Sequence, residues 1–116
     1  ARLRSAFGVD VTAPGSSDPR GFDLVVNSTP LGLNTGDPLP FDVARIDRTA
    51  AVVDILMKNQ PTPLLRACAA RGITAHPGYE MMVQQMPEYL SFFGLHEVAR
   101  AVQEDASQVR ALLQAR

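Results

Sequence analysis

The stretch Ala50-Ala-Val-Val-Asp-Ile-Leu56, followed by Thr62-Pro-Leu-Leu-Arg-Ala-Cys-Ala-Ala-Arg-Gly72 and then Ile73-Thr-Ala75, decides the fold. Ala50 to Leu56 is apolar without alternation, the pattern of a strand covered on both faces in a parallel sheet. Met57 to Pro61 turns the chain, Thr62 is placed to cap a helix, and Pro63 suits the first helical position. Leu64, Leu65, Cys68 and Ala69 supply one apolar stripe, and Gly72 stops the helix. Ile73 to Ala75 reads as the next strand. A strand, a helix and a strand at this spacing predict a parallel pair joined by a crossover helix, hence an α/β fold.

The same alternation extends both ways. Upstream, Phe22-Asp-Leu-Val-Val-Asn27 reads as another strand buried on both faces, stopped by Ser28-Thr29-Pro30. Glycines and prolines from Leu31 to Asp47 predict an extended loop, with one helical turn near Phe41 to Arg45. Before that lie a short β-branched strand, Val9 to Thr12, and a turn-rich connector. The first eight residues read as the end of a helix closed by Gly8, an unusual way for a natural chain to start, so a fragment is expected. Downstream, Pro77-Gly78 leads into a helix from Tyr79 to Phe93, stopped by Gly94. Two more helices are predicted, Glu97 to Glu104 and Ser107 to Gln114. The expected architecture is a single α/β domain over residues 1–116, a parallel sheet with flanking helices and C-terminal helices.

Composition narrows the function. Eleven basic residues against twelve acidic ones leave a net charge of −1, and the ten arginines and Lys58 are scattered among acids. Nucleic-acid and anionic-membrane binding rest on clustered cationic charge, so neither partner is expected. With 46% hydrophobic and 20% charged residues the chain is ordinary for a folded domain. No apolar run approaches the roughly 20 residues of a membrane span. Cys68 is the single cysteine, which excludes an internal disulfide and a thiolate metal cage and fits a reducing, cytoplasmic setting.

Ligands of open parallel sheets bind beyond the carboxyl ends of the strands. The segments to inspect are therefore Asn27 to Gly32, Ile55 to Pro61, and Pro77 to Gln85. Each residue there has a plainer structural reading. Asn27-Ser28-Thr29-Pro30 is also an ordinary strand-ending turn; Met81, Met82 and Met86 are also packing residues, as is Cys68; Gln84 is also a solvated helix position. His76 and His96 are too far apart in sequence to form a helical metal pair, so no metal is expected. There is no Gly-x-Ser-x-Gly elbow, no Gly-x-Gly-x-x-Gly and no P-loop.

Three segments taken in order resemble the C-terminal part of the shikimate/quinate dehydrogenase family: Asp23-Leu-Val-Val-Asn-Ser-Thr-Pro-Leu-Gly32, Val53-Asp54 through Thr62-Pro-Leu-Leu65, and Gly78-x-x-Met81-x-Val83-x-Gln85. The resemblance covers most of the chain. It implies the later part of a Rossmann-like, dinucleotide-binding domain, NADP as cofactor with NAD as the other option, and hydride transfer to or from shikimate, quinate or a related hydroxy acid. It implies that Asn27, Ser28 and Thr29 line the ribose side of the cofactor. Ile55 and Gly78 would flank the nicotinamide with their backbone, Met81 would pack near its ring, and Gln85 would hydrogen-bond a substrate hydroxyl.

The departures are specific. Family members carry tyrosine and then proline where this chain has Met57 and Asn59. The tyrosine helps to hold the substrate carboxylate, a hydrogen bond methionine cannot donate. Lys58, the chain's single lysine, offers a charge beside it. Glu80 stands in place of a common glycine. The family's catalytic lysine and aspartate, its N-terminal substrate domain and its glycine-rich diphosphate loop have no counterpart here, so the chain alone is expected to be inactive and to hold no catalytic residue. The alternatives are another two-domain Rossmann-type dehydrogenase, or a noncatalytic α/β module that docks onto another chain, with a strand edge near Val9 favouring assembly and a homodimer as one option.

Overall fold

The computed structural model describes Ser5, Ala6, Gly8 and residues 17–114. The strand expected at Val9 to Thr12 lies outside these residues, as do most of the connector after it and most of the helix end expected before Gly8. Three strands, β1 (Leu24–Asn27), β2 (Ala51–Asp54) and β3 (Thr74–Pro77), form a parallel sheet in that order. A 3-10 turn, Val43–Arg45, interrupts the loop between β1 and β2, where one helical turn was expected. Helix α1 (Pro63–Ala70) crosses from β2 to β3, and α2 (Gly78–Phe92), α3 (His96–Glu104) and α4 (Ser107–Gln114) complete the chain.

The local chemistry of α1 agrees with its sequence. The Thr62 side chain accepts from the Leu65 N–H at 3.2 Å, Pro63 occupies the first turn, and Gly72 follows with φ +68°. Leu64 and Cys68 point inward and cluster with Val52, Ala50 and Ile73, with Val43 and Ile46 of the loop closing the cluster; Leu65 is also buried. Cys68 is wholly buried, and burial, followed by the nearby Asp54 carboxylate, pushes its thiol above the usual range. It is a core residue.

The strand faces differ from expectation. β1 alternates, with Leu24 56% and Val26 48% exposed while Val25 packs on the core and Asn27 is buried. The expectation of burial on both faces fails here because the described core cluster, built from α1, the 3-10 turn and the loop around it, lies on the face of Val25 and Val52. An unbroken apolar run marks residues able to be covered and does not say that the cover lies within the same 116 residues. The strand read over Ala50 to Leu56 pairs only through Asp54, where Asp54 Oδ1 accepts from the Leu56 N–H at 3.3 Å and turns the backbone away.

Helix α2 starts one residue earlier than its periodicity predicts, at Gly78. It contains Pro87, which has no N–H to give the Val83 carbonyl. It packs on α3 and α4, with Val83 and Ala99 as the buried contacts between the helices. At the start of α4, Asp105 accepts from the Ser107 N–H at 2.8 Å, and that bond holds its carboxyl below the usual range. No described helix is long and apolar enough to cross a membrane.

Candidate functional site

Sheet register brings the three candidate segments to one rim. Asn27, Asp54 and Pro77 stand side by side across β1, β2 and β3, so Ser28, Ile55 and Gly78 leave the sheet from adjacent positions. The rim is held by a buried polar cluster. Asp54 Oδ1 accepts from Asn27 Nδ2 at 3.0 Å, and Asp54 Oδ2 accepts from Thr62 Oγ1 at 2.6 Å. Asn27 Oδ1 in turn accepts from the Thr29 N–H at 3.1 Å and from Thr29 Oγ1 at 2.7 Å. All three of Asn27, Asp54 and Thr62 are at most 1% exposed. Thus one carboxylate ties the end of β1, the end of β2 and the start of α1, and every polar atom in the cluster is answered, as burial requires.

Of the sequence candidates, Asn27 is the one whose side chain is shut away from the rim. Its amide is spent on Asp54, Thr29 and the Leu31 carbonyl, so this position shapes the turn while Ser28 and Thr29 stand exposed beyond it. Ile55 and Gly78 approach backbone to backbone. A Cβ built on Gly78 would lie 2.4 Å from the Ile55 carbonyl oxygen and 2.9 Å from that of Asp54, so no other residue fits there without separating the strands.

Met81 and Gln85 follow Gly78 along one face of α2, at i+3 and i+7, and both are exposed. The Gln85 amide oxygen accepts from the Tyr89 hydroxyl at 3.4 Å. Met57 and Lys58 line a cavity of about 410 Å³ together with Asn59, Tyr79, Met82 and Leu113. The structure joins Met57 and Lys58 in one cavity and leaves Gln85 outside it, on the adjoining face of α2. The loop carrying them is pinned: Asn59, at φ +58°, donates from Nδ2 to the Leu33 carbonyl at 2.8 Å, and Gln60 Nε2 donates to the Leu56 carbonyl at 2.6 Å.

Two contacts escaped the sequence reading. Glu80 accepts from Arg110 Nε at 2.9 Å, and the Tyr79 hydroxyl accepts from Gln114 Nε2 at 3.0 Å. Both join α2 to α4 over separations of thirty or more residues, which no local pattern encodes. They place α4 as a wall of the cavity and give Glu80, the residue in the position of a common glycine, a docking role. Thr62 was legible as a cap because capping is local; its second bond, to Asp54, was not.

No family model matches the chain. Among curated proteins, the shikimate dehydrogenase (NADP(+)) of Acidiphilium cryptum is 42% identical over 76 residues, 65% of this chain and 28% of that protein. The shikimate dehydrogenase (NADP(+)) of Methylocella silvestris is 38% identical over 88 residues, covering 71% of this chain and 31% of its own length. Among solved structures, the shikimate dehydrogenase of Aquifex aeolicus superposes with a TM-score of 0.64 over 90% of this chain and 40% of its own, at 27% identity. The three-stranded parallel sheet and its helices are thus shared with a Rossmann-like enzyme more than twice as long. By sequence and by fold the chain is similar to shikimate dehydrogenases, and it spans less than a third of the two curated relatives.

Proposed function

We propose that this chain is the C-terminal portion of the dinucleotide-binding domain of a longer oxidoreductase, which transfers hydride between NADP and shikimate or a related hydroxy acid. The observation that carries this reading is the common rim of the sheet, where Ser28, Ile55 and Gly78 emerge side by side from strands in register. When bound, the cofactor supplies or accepts the hydride. The residues present fit its flat nicotinamide end: the side-chain-free Gly78 keeps the backbone of Ile55 close, and Met81, 46% exposed, stands beside it on α2.

In this reading Ser28 and Thr29 line the ribose side, Ile55 and Gly78 flank the ring with backbone, and Met81 packs against it. Gln85 hydrogen-bonds a substrate hydroxyl. Lys58, beside Met57 in the cavity wall, pairs with the substrate carboxylate. Hydride transfer to a carbonyl also needs a proton delivered to its oxygen, and the acid–base pair for that step belongs to the remainder of the longer protein, so the chain alone turns nothing over. The NADP named for the relatives supports that cofactor over NAD.

The test is the longer enzyme assayed for reduced-nicotinamide formation with shikimate, quinate and other hydroxy acids, with NADP and with NAD. Turnover of shikimate or quinate supports the reading; silence across the panel with NADP binding retained removes both substrates. In that enzyme, Gln85→Ala is expected to lower kcat/KM for the substrate about 10- to 100-fold, the effect of roughly 1.5–3 kcal/mol from one lost hydrogen bond, with the cofactor KM unchanged. Unaltered kinetics would take Gln85 out of the site. Met57→Tyr is expected to raise kcat/KM for shikimate by about tenfold by adding a hydroxyl donor to the carboxylate. The absence of any gain would mean that the pocket is built for a different acid.

A further inference from the structure

The cavity between the loop after β2 and the helices α2 and α4 offers an unequal set of partners. Its charged group is Lys58, which forms no ion pair among the described residues, and no described carboxylate lines it. Its other polar side chains are Asn59 and Tyr79. Asn59 spends its Nδ2 on the Leu33 carbonyl. The Tyr79 hydroxyl accepts from Gln114 Nε2, which leaves that hydroxyl its own proton to give. The rest of the wall is Met57, Met82 and Leu113. The cavity thus presents a cation, an O–H donor and a soft apolar surface.

We infer that the substrate taken by this cavity is a monocarboxylate with a largely apolar ring body and a single hydroxyl, in preference to a ring carrying several hydroxyls. The carboxylate answers Lys58 and the Tyr79 proton together by charge-assisted hydrogen bonds. The ring packs on Met57, Met82 and Leu113, where each extra hydroxyl would lose water without gaining a partner. One hydroxyl is left for Gln85, which stands outside the cavity on the adjoining face of α2. The volume, about 410 Å³, suits a small molecule. This inference rests on the proposed dehydrogenase function, which makes the cavity a substrate site.

The probes are shikimate, cyclohexenecarboxylate, which is the same ring acid without hydroxyls, and cyclohexenecarboxamide, its neutral analogue. They are titrated into the 116-residue chain carrying isotope-labelled methionine methyls, read by NMR. Met57 and Met82 line the cavity, while Met81 and Met86 do not and serve as references. The expected result is a saturable shift of the Met57 and Met82 methyls. Cyclohexenecarboxylate should bind about tenfold more tightly than shikimate, whose hydroxyls find no partners, and about tenfold more tightly than the carboxamide, which lacks the charge. Lys58→Gln should weaken the acid about tenfold and leave the carboxamide unchanged. Shikimate binding as tightly as the bare acid, equal binding of acid and carboxamide, or no saturable shift would overturn the inference. These titrations contain no cofactor, so the dehydrogenase reading is judged apart from them. If the longer enzyme with NADP turns over no hydroxy acid while the bare acid still binds best, that reading falls and the ligand preference stands.

Discussion

Gly78→Ala is expected to destabilise the chain by about 3 kcal/mol, the upper part of the range for forcing an extra carbon into packed structure. The added Cβ would sit 2.4 Å from the Ile55 carbonyl oxygen and 2.5 Å from its carbon. Those neighbours are backbone, so no side chain can swing aside, and Ile55 is itself tied to β1 by its N–H to the Asn27 carbonyl at 3.1 Å. Relief requires the start of α2 to move away from β2, and this shifts Met81 and Gln85 with it. Urea unfolding measures the loss of stability. An unchanged midpoint would mean that β2 and β3 do not approach as closely as described. In the longer enzyme the same variant should raise the KM for NADP, since the displaced junction is the proposed nicotinamide wall. The helix propensity of alanine favours the substitution by only about 1 kcal/mol, too little to offset the clash.

Asp54→Ala is expected to cost about 4 kcal/mol, comparable to breaking a buried charged contact from one side. It removes the shared acceptor of three donors, Asn27 Nδ2, Thr62 Oγ1 and the Leu56 N–H, and leaves Asn27 Nδ2 only its 3.4 Å bond to the Leu31 carbonyl. Two strand ends and the cap of α1 lose their shared partner in a region closed to water. Asp54→Asn separates shape from charge. Its oxygen still accepts from Asn27 and Leu56, and its amide can donate to Thr62 Oγ1 if that hydroxyl turns, so a loss of about 1–2 kcal/mol is expected. Denaturant midpoints of the two variants decide the matter. Equal effects would mean that the negative charge itself holds the cluster; two negligible effects would mean that the cluster is dispensable.

The elements whose cause is local were readable before any coordinates. Thr62 followed by Pro63 and an apolar stripe specifies α1 wherever the chain is placed, because capping and periodicity act within one or two turns. The order of strands and helices followed from the same patterns, and with it the expectation that sites lie at the carboxyl ends of the strands. The resemblance of three ordered segments to a known family singled out Ser28, Ile55, Gly78, Met81 and Gln85.

What it did not contain is every contact across the fold. That Asp54 serves Asn27 and Thr62 together depends on β1, β2 and α1 meeting at one point. That Met57 and Lys58 share a cavity with Tyr79 and Leu113, while Gln85 stands outside it, depends on how α2 is rotated and where α4 docks. Glu80 looked like a lone substitution of a small residue until Arg110 was found against it. The exposed side of β1 shows the same limit from the other direction, since Leu24 and Val26 declare an apolar face and not what covers it. Sequence by itself determined the elements and their order, because propensity, capping and periodicity are short-range. Only the tertiary structure decided the partners, because hydrogen bonds and cavities between distant segments arise from packing the whole chain.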